Sequence, residues 1–224
     1  MRVGLLGGSF NPAHRGHAHV ARRARRLLGL DQVWLLVSPG NPLKPARGMA
    51  PFAERLASAR RIADGRRIVA TGIEAALGTQ YTADTILALR RIFPNVHFVW
   101  LMGADNLLQL PRWRRWIDIA RAVPIAVLPR PSYNRPALAG QAAHRLRLAR
   151  LATRAATTLA ARKPPAWVFL CTAQNPTSAT AIRTKEKECS HRQKAPRAPR
   201  ASGSAGHPPP DTGAQAGAPG AAAG

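Results

Sequence analysis

The sequence predicts an α/β fold in which a parallel sheet carries helices on both faces. Two observations carry that prediction, and a third bounds it. Short apolar runs of strand length alternate with Ala/Leu/Arg segments of helical period. The polar and Gly-rich clusters follow the ends of those runs, where ligands sit in open α/β sheets. Composition then changes abruptly after Arg183, which confines the folded part to residues 1–183.

The elements follow in order. Val3 to Leu6 is a short apolar run feeding a loop at Gly7-Gly8, and from about His17 to Leu28 Ala, Val and Leu alternate with Arg in helical rhythm up to Gly29. Val33 to Val37 is a second buried strand, closed by Ser38-Pro39-Gly40-Asn41-Pro42. Phe52 to Ala63 suits a helix, Arg67 to Thr71 a strand, Thr82 to Arg91 a helix, and Val96 to Met102 a strand ending at Gly103. A Trp-containing helix, a strand at Ile125 to Leu128, one long helix from Gln141 to Ala161 and a last strand at Trp167 to Cys171 complete the pattern. Residues 184–224 hold almost no large apolar side chain, cannot offset their ordering entropy by burial, and are expected to form a disordered, low-complexity tail.

Composition sets bounds. Hydrophobic residues make up 46% of the 224, enough for the core of one domain. No apolar run approaches the roughly 18 residues that span a bilayer, and the N-terminus lacks a secretory h-region. Two cysteines, Cys171 and Cys189, form neither a disulfide framework nor a metal-ligand spacing, so a cytoplasmic location is the expectation. The formal net charge of +24 is mostly arginine. Such a surface attracts phosphates and could hold nucleic acid non-specifically. Drift of Lys codons to Arg in a GC-rich genome explains the same charge without a partner. No stacking aromatic pattern or DNA-reading motif accompanies it, so no specific nucleic acid is expected.

The most informative stretch is Gly7-Gly8-Ser9-Phe10-Asn11-Pro12-Ala13-His14-Arg15-Gly16-His17. Glycines let a backbone approach phosphate closely, and a helix N-terminus offers free N–H groups and a positive dipole end. His14 and His17, three apart and read as exposed, can present two imidazoles to a polyphosphate. A zinc site is disfavoured, because His19 should point elsewhere and no carboxylate or thiolate lies nearby. A second cluster, Asn175 to Arg183, follows the last strand; Ser178 and Thr180 could cap a helix and Arg183 could offer a planar fork to phosphate oxygens.

The first stretch resembles the G-x-F-x-P-x-H-x-G-H pattern of the HxGH nucleotidyltransferase superfamily, and the second its I-S-[S/A]-T-x-[I/L]-R element, with Thr177 in the Ile position. The resemblance, which covers residues 1–183, implies a Rossmann-like sheet. It assigns His14, His17 and Arg183 to catalysis, and Gly7, Gly8, Ser9, Phe10, Ser178 and Thr180 to ATP and its phosphates. Three further stretches resemble the bacterial nicotinate-nucleotide adenylyltransferases. Tyr81-Thr82-Ala83-Asp84-Thr85-Ile86 is similar to a segment that contacts nicotinate. Met102-Gly103-Ala104-Asp105-Asn106 is similar to one in which the Asp, with Gly103 beside it, binds an ATP ribose. Leu110 to Trp116 is similar to a W-x-x-W helix whose first Trp, here Trp113, stacks on the pyridine ring. Lys44 matches a basic position near phosphates.

Structural readings stand beside these: core packing for Trp113 and Trp116, an ordinary N-cap for Thr82 or Asp105, and a solvated loop charge for Lys44. The resemblance implies adenylyl transfer from ATP to nicotinate mononucleotide, with Mg²⁺ carried by the substrate phosphates and no resident metal. It is compatible with a homo-oligomer. Nicotinamide mononucleotide or pantetheine phosphate as acceptor, or a non-enzymatic nucleic-acid-binding role, are the alternatives.

Overall fold

The computed structural model describes residues 1–40 and 48–170. The boundary expected at 183/184, the tail, Lys44, Ser178, Thr180 and Arg183 all lie outside the described residues.

Among the described residues seven parallel strands form one sheet in the order β3-β2-β1-β4-β5-β7-β6. The strands are β1 (Arg2–Gly8), β2 (Gln32–Val37), β3 (Ile68–Thr71), β4 (His97–Gly103), β5 (Ile125–Leu128), β6 (Arg150–Leu151) and β7 (Trp167–Phe169). Strand order reverses between β1 and β4, so the crevice at their carboxyl ends is the place a ligand would enter. The helices are α1 (Arg15–Leu27), α2 (Phe52–Ile62), α3 (Ile73–Ala76), α4 (Thr82–Ile92), α5 (Ala104–Gln109), α6 (Trp116–Ala122), α7 (Asn134–Ala139) and α8 (Gln141–Arg145).

The period-2 alternation of the central strands builds two cores, one on each face. Val3, Leu5, Phe98, Trp100, Met102, Ile125, Val127, Trp167 and Phe169 face α4, α5 and α6. Leu6, Val33, Leu35, Val99, Leu101, Ala126 and Val168 face the other way, toward α1. On α1 the buried positions are Gly16, Ala18, Ala21 and Ala24. With no side chain longer than a methyl, that face lets the helix lie close on the sheet. The strand beneath is equally spare, since a Cβ on Gly4 would come within 2.8 Å of both Leu30 and Leu101.

The segment 141–161 corrects the sequence reading. It is not one helix. It comprises α8, a 3-10 turn at Arg147–Ala149, strand β6, and a 3-10 helix at Thr153–Ala161. Ala142 and Ala143 of α8 pack into the first core, while Ala156, Leu159 and Ala160 pack into the second. A straight helix of that length, roughly 30 Å, covers one face only, whereas this chain crosses the sheet edge. Tertiary burial overrides the Ala/Leu/Arg propensity. The crossing is pinned by Trp167, whose indole Nε1–H donates to the Leu146 carbonyl at 2.8 Å, and by Arg150 lying over its ring at 5.2 Å.

Candidate functional site

The site is built at the carboxyl ends of β1 and β4. β1 runs through Gly8, so Gly7 and Gly8 are strand residues rather than a turn. Their missing side chains matter: a Cβ on Gly7 would sit 2.7 Å from the Trp100 ring, and one on Gly8 3.2 Å from Phe10. The chain then turns at Ser9 and Phe10. Phe10 is buried with a left-handed φ of 46°, a conformation that a non-glycine residue keeps only where its surroundings hold it.

Those surroundings come from α2. Arg55 is 2% exposed and, among the described residues, pairs with no carboxylate. Its guanidinium donates to the carbonyls of Ser9 and Ser38 at 2.7 Å each, Ala50 at 2.9 Å and Pro39 at 3.0 Å. One side chain therefore ties the loops after β1 and β2 to α2. Ser58, one turn further, accepts from the Ala13 N–H at 3.0 Å. Arg55 is not distinguishable in the sequence from Arg60 and Arg61 of that helix, and nothing local marks Ser58.

Helix α1 begins at Arg15, two residues earlier than expected, and His14 is its N-cap. The two imidazoles form a reciprocal capping box. His14 Nδ1 accepts from the Gly16 N–H at 3.1 Å, and His17 Nδ1 accepts from the His14 N–H at 3.2 Å. Each ring uses Nδ1 as an acceptor, so each neutral ring carries its proton on Nε2 and can donate it outward. The rings lie 3.9 Å apart, and Phe10 packs 4.9 Å from His17. Contrary to the expectation of two exposed rings, both are partly buried, because each is occupied in closing the helix end.

Burial is the main cause that pushes His17 down from 6.5 to about 3, with the charges of His14 and Arg130 adding to it. His14 is lowered chiefly by burial and then by Arg130. A base whose folded pKa lies below its unfolded value stabilises the fold above pH 6.5, and that contribution is lost as pH falls toward about 3. Glu74, buried and pushed up to about 6 by desolvation against a hydrogen bond from Thr85, acts oppositely. Its stabilisation is present below about 4.5 and lost as pH rises through about 6. Urea titrations at stepped pH should show unfolding free energy dropping below 6.5, a steeper drop in Glu74→Gln, and a shallower one in His17→Ala.

Across the crevice, Gly103 ends β4 and caps α5, placing Asp105 in the first turn. Asp105 is therefore not itself the N-cap. Its Oδ1 is 3.2 Å from Arg130 Nε in an ion pair that lacks the alignment of a hydrogen bond, so the buried oxygen keeps its acceptor capacity. A side chain on Gly103 would collide with that carboxylate and lie 3.0 Å from Arg130 Nε. Arg130, just past the end of β5, faces Asp105 and both histidines and was not singled out from the sequence. The strand-end rule that found Asp105 would also have found it.

Trp113 is not on a helix. It follows the 3-10 turn Leu110–Arg112 in extended conformation, and α6 starts only at Trp116. The break leaves Trp113 part-buried, edge-on to Trp100 at 6.4 Å between ring centroids. Trp100 in turn lies against Gly7, so Trp113 and the β1 loop share one wall. Tyr81 is the N-cap of α4 and Thr82 its first helical residue; no side chain caps that end. Arg114 lies 4.6 Å over the Tyr81 ring, and Arg115 bridges Asp84 at 3.0 Å and Asp118 at 2.8 Å. Tyr81, Thr82 and Trp113 thus gather at one end of α4. Among the described residues no group of three or more His, Cys, Asp or Glu could hold a metal, and no helix is long and apolar enough to cross a membrane.

The chain matches the cytidylyltransferase-like family model over residues 5–185. It is 63% identical over 183 residues to a protein of Gluconobacter oxydans named "Probable nicotinate-nucleotide adenylyltransferase", covering 82% of this chain and 94% of that one. A protein of the same name in Parvibaculum lavamentivorans is 55% identical over 185 residues, covering 83% and 92%. In fold it is similar to the Plasmodium falciparum nicotinic acid mononucleotide adenylyltransferase complexed with NaAD, with TM-score 0.57 at 15% identity over 80% of this chain and 77% of that one.

Proposed function

This chain belongs to the cytidylyltransferase-like family and, within it, to the nicotinate-nucleotide adenylyltransferases, and from that membership we propose how its residues carry the reaction. The enzyme transfers an adenylyl group from ATP to nicotinate mononucleotide, giving deamido-NAD and pyrophosphate in NAD biosynthesis. A phosphate oxygen of the mononucleotide attacks the α-phosphorus in line, and the bond from that phosphorus to the β-phosphate oxygen breaks as pyrophosphate leaves. The substrate brings its own nucleophile, so the protein supplies position and charge stabilisation.

The observation that carries this reading is the pair of imidazoles at the mouth of α1, each with Nδ1 engaged and Nε2–H free to donate. In our reading His14 and His17 donate to the ATP phosphates, with the Gly7 to Phe10 backbone beneath them. Arg130 adds a guanidinium beside them. Asp105 accepts from a ribose hydroxyl, exchanging its contact with Arg130 for the substrate. Lys44, Ser178, Thr180 and Arg183 complete the phosphate contacts. Mg²⁺ would enter with ATP on the phosphate oxygens and would screen their charge.

At the other end, the uncapped first turn of α4 at Tyr81 and Thr82 favours a carboxylate, and Trp113 stacks on the pyridine ring. We place the reaction in the cytoplasm. A pyrophosphate-release assay tests the reading: turnover with nicotinate mononucleotide should exceed that with nicotinamide mononucleotide, and neither turning over would overturn it. Trp113→Ala should raise KM for the mononucleotide about tenfold or more, since stacking on an aromatic side chain contributes about 1–3 kcal/mol.

A further inference from the structure

The opposite end of the sheet carries a feature that adenylyl transfer does not use. A half-open cavity of about 300 Å³ is lined by Arg22, Arg25 and Arg26 of α1, by Asp64 and Arg67 between α2 and β3, and by Ile68, which opens β3. Because α1 starts at the carboxyl end of β1 and runs back, these arginines stand roughly 12–18 Å along the helix axis from His14.

Four arginines line it alongside one carboxylate. Asp64 is already engaged: its Oδ1 accepts from the backbone N–H groups of Arg66, Arg67 and Ile68 at 3.0, 2.7 and 2.8 Å. Among the described residues, side-chain ion pairs are made by Arg2, Arg115 and Arg130, and none by the four arginines of this cavity. Arg25 and Arg26 complement the carboxyl end of the helix dipole. That reason does not extend to Arg22, at mid-helix and four residues from Arg26, where like charges repel, or to Arg67 on another element.

We propose that this cavity binds a compact multivalent phosphate anion, such as a triphosphate chain. Guanidinium forks match phosphate oxygens two at a time, and four arginines line this one concavity, of which Arg25 also donates to the Leu30 carbonyl at 3.5 Å, in a volume at the small end for ligand pockets. A nucleic-acid backbone instead asks for a stripe of cations along its length. The chain could be inorganic or the tail of a nucleotide, and titrating tripolyphosphate against ATP separates the two.

The test is calorimetric titration of the full chain with sodium tripolyphosphate in a His17→Ala background, which weakens the catalytic cradle. Saturable binding is expected to persist there. The Arg22→Gln/Arg67→Gln pair should weaken it about tenfold or more, as loss of two charge-assisted contacts implies. Arg26→Glu, at an exposed position, is a second variant should the pair fold poorly. The same changes made without His17→Ala should leave pyrophosphate release and KM for ATP unchanged, which separates this site from the catalytic reading. Equal affinity in all variants, or no binding in the His17→Ala background, overturns the proposal. So does selective loss of binding to a mixed-sequence DNA duplex, which would mark a nucleic-acid surface.

Discussion

His17→Ala is expected to lower kcat by about 10²–10³, the usual cost of removing one preorganised donor from developing transition-state charge. KM for ATP should move less, because a donor whose bond strengthens in the transition state acts on kcat. The same substitution opens the capping box by removing the acceptor for the His14 N–H. Loss of that bond costs about 1 kcal/mol, too little to unfold the domain, so a fall of hundreds-fold in kcat reports chemistry. Circular dichroism and a thermal melt taken with the kinetics check this. A variant with parental kcat would remove His17 from the mechanism.

Arg55→Met carries the second large effect, and through a different route. It keeps the volume of the side chain but strips four carbonyls of their donor. Each buried acceptor left unpaired costs about 1–3 kcal/mol, and since these carbonyls lie partly near solvent a total of about 3–4 kcal/mol is expected. That corresponds to a fall in Tm on the order of 10 °C for a domain of this size. Activity should drop at temperatures where the variant is still folded, because the Ser9 and Ser38 carbonyls fix the loops beneath the phosphates. Arg55→Lys should recover only part of either property, since an ammonium cannot reproduce a planar fork that spans four acceptors.

The central sheet was legible in the sequence because its strands are continuous apolar runs bounded by Gly and Pro, the pattern that burial on both faces demands. The 141–161 segment was not. Its local pattern favours helix, and only the need to cover both faces of the sheet breaks it at Leu146–Arg150. Among the described site residues, His14, His17 and Asp105 stand where strand-end and helix-start reasoning put them, although the cap proved to be His14 itself, while Tyr81, found by resemblance, takes the N-cap position expected of Thr82. Trp113 was found by resemblance to a helix, yet it occupies the gap between two of them. Arg55 was invisible, because burial of one Arg among many on an amphipathic helix is decided by two distant loops.

The sheet also tapers. β1 and β4 at the centre have seven residues each, while the described flanks end in four residues at β3 and two at β6. A two-residue margin offers a neighbouring molecule little backbone to zip onto, and a pair that short cannot propagate. The same shortness that carries the chain from one face to the other therefore also leaves little template for fibre-like stacking at this described margin.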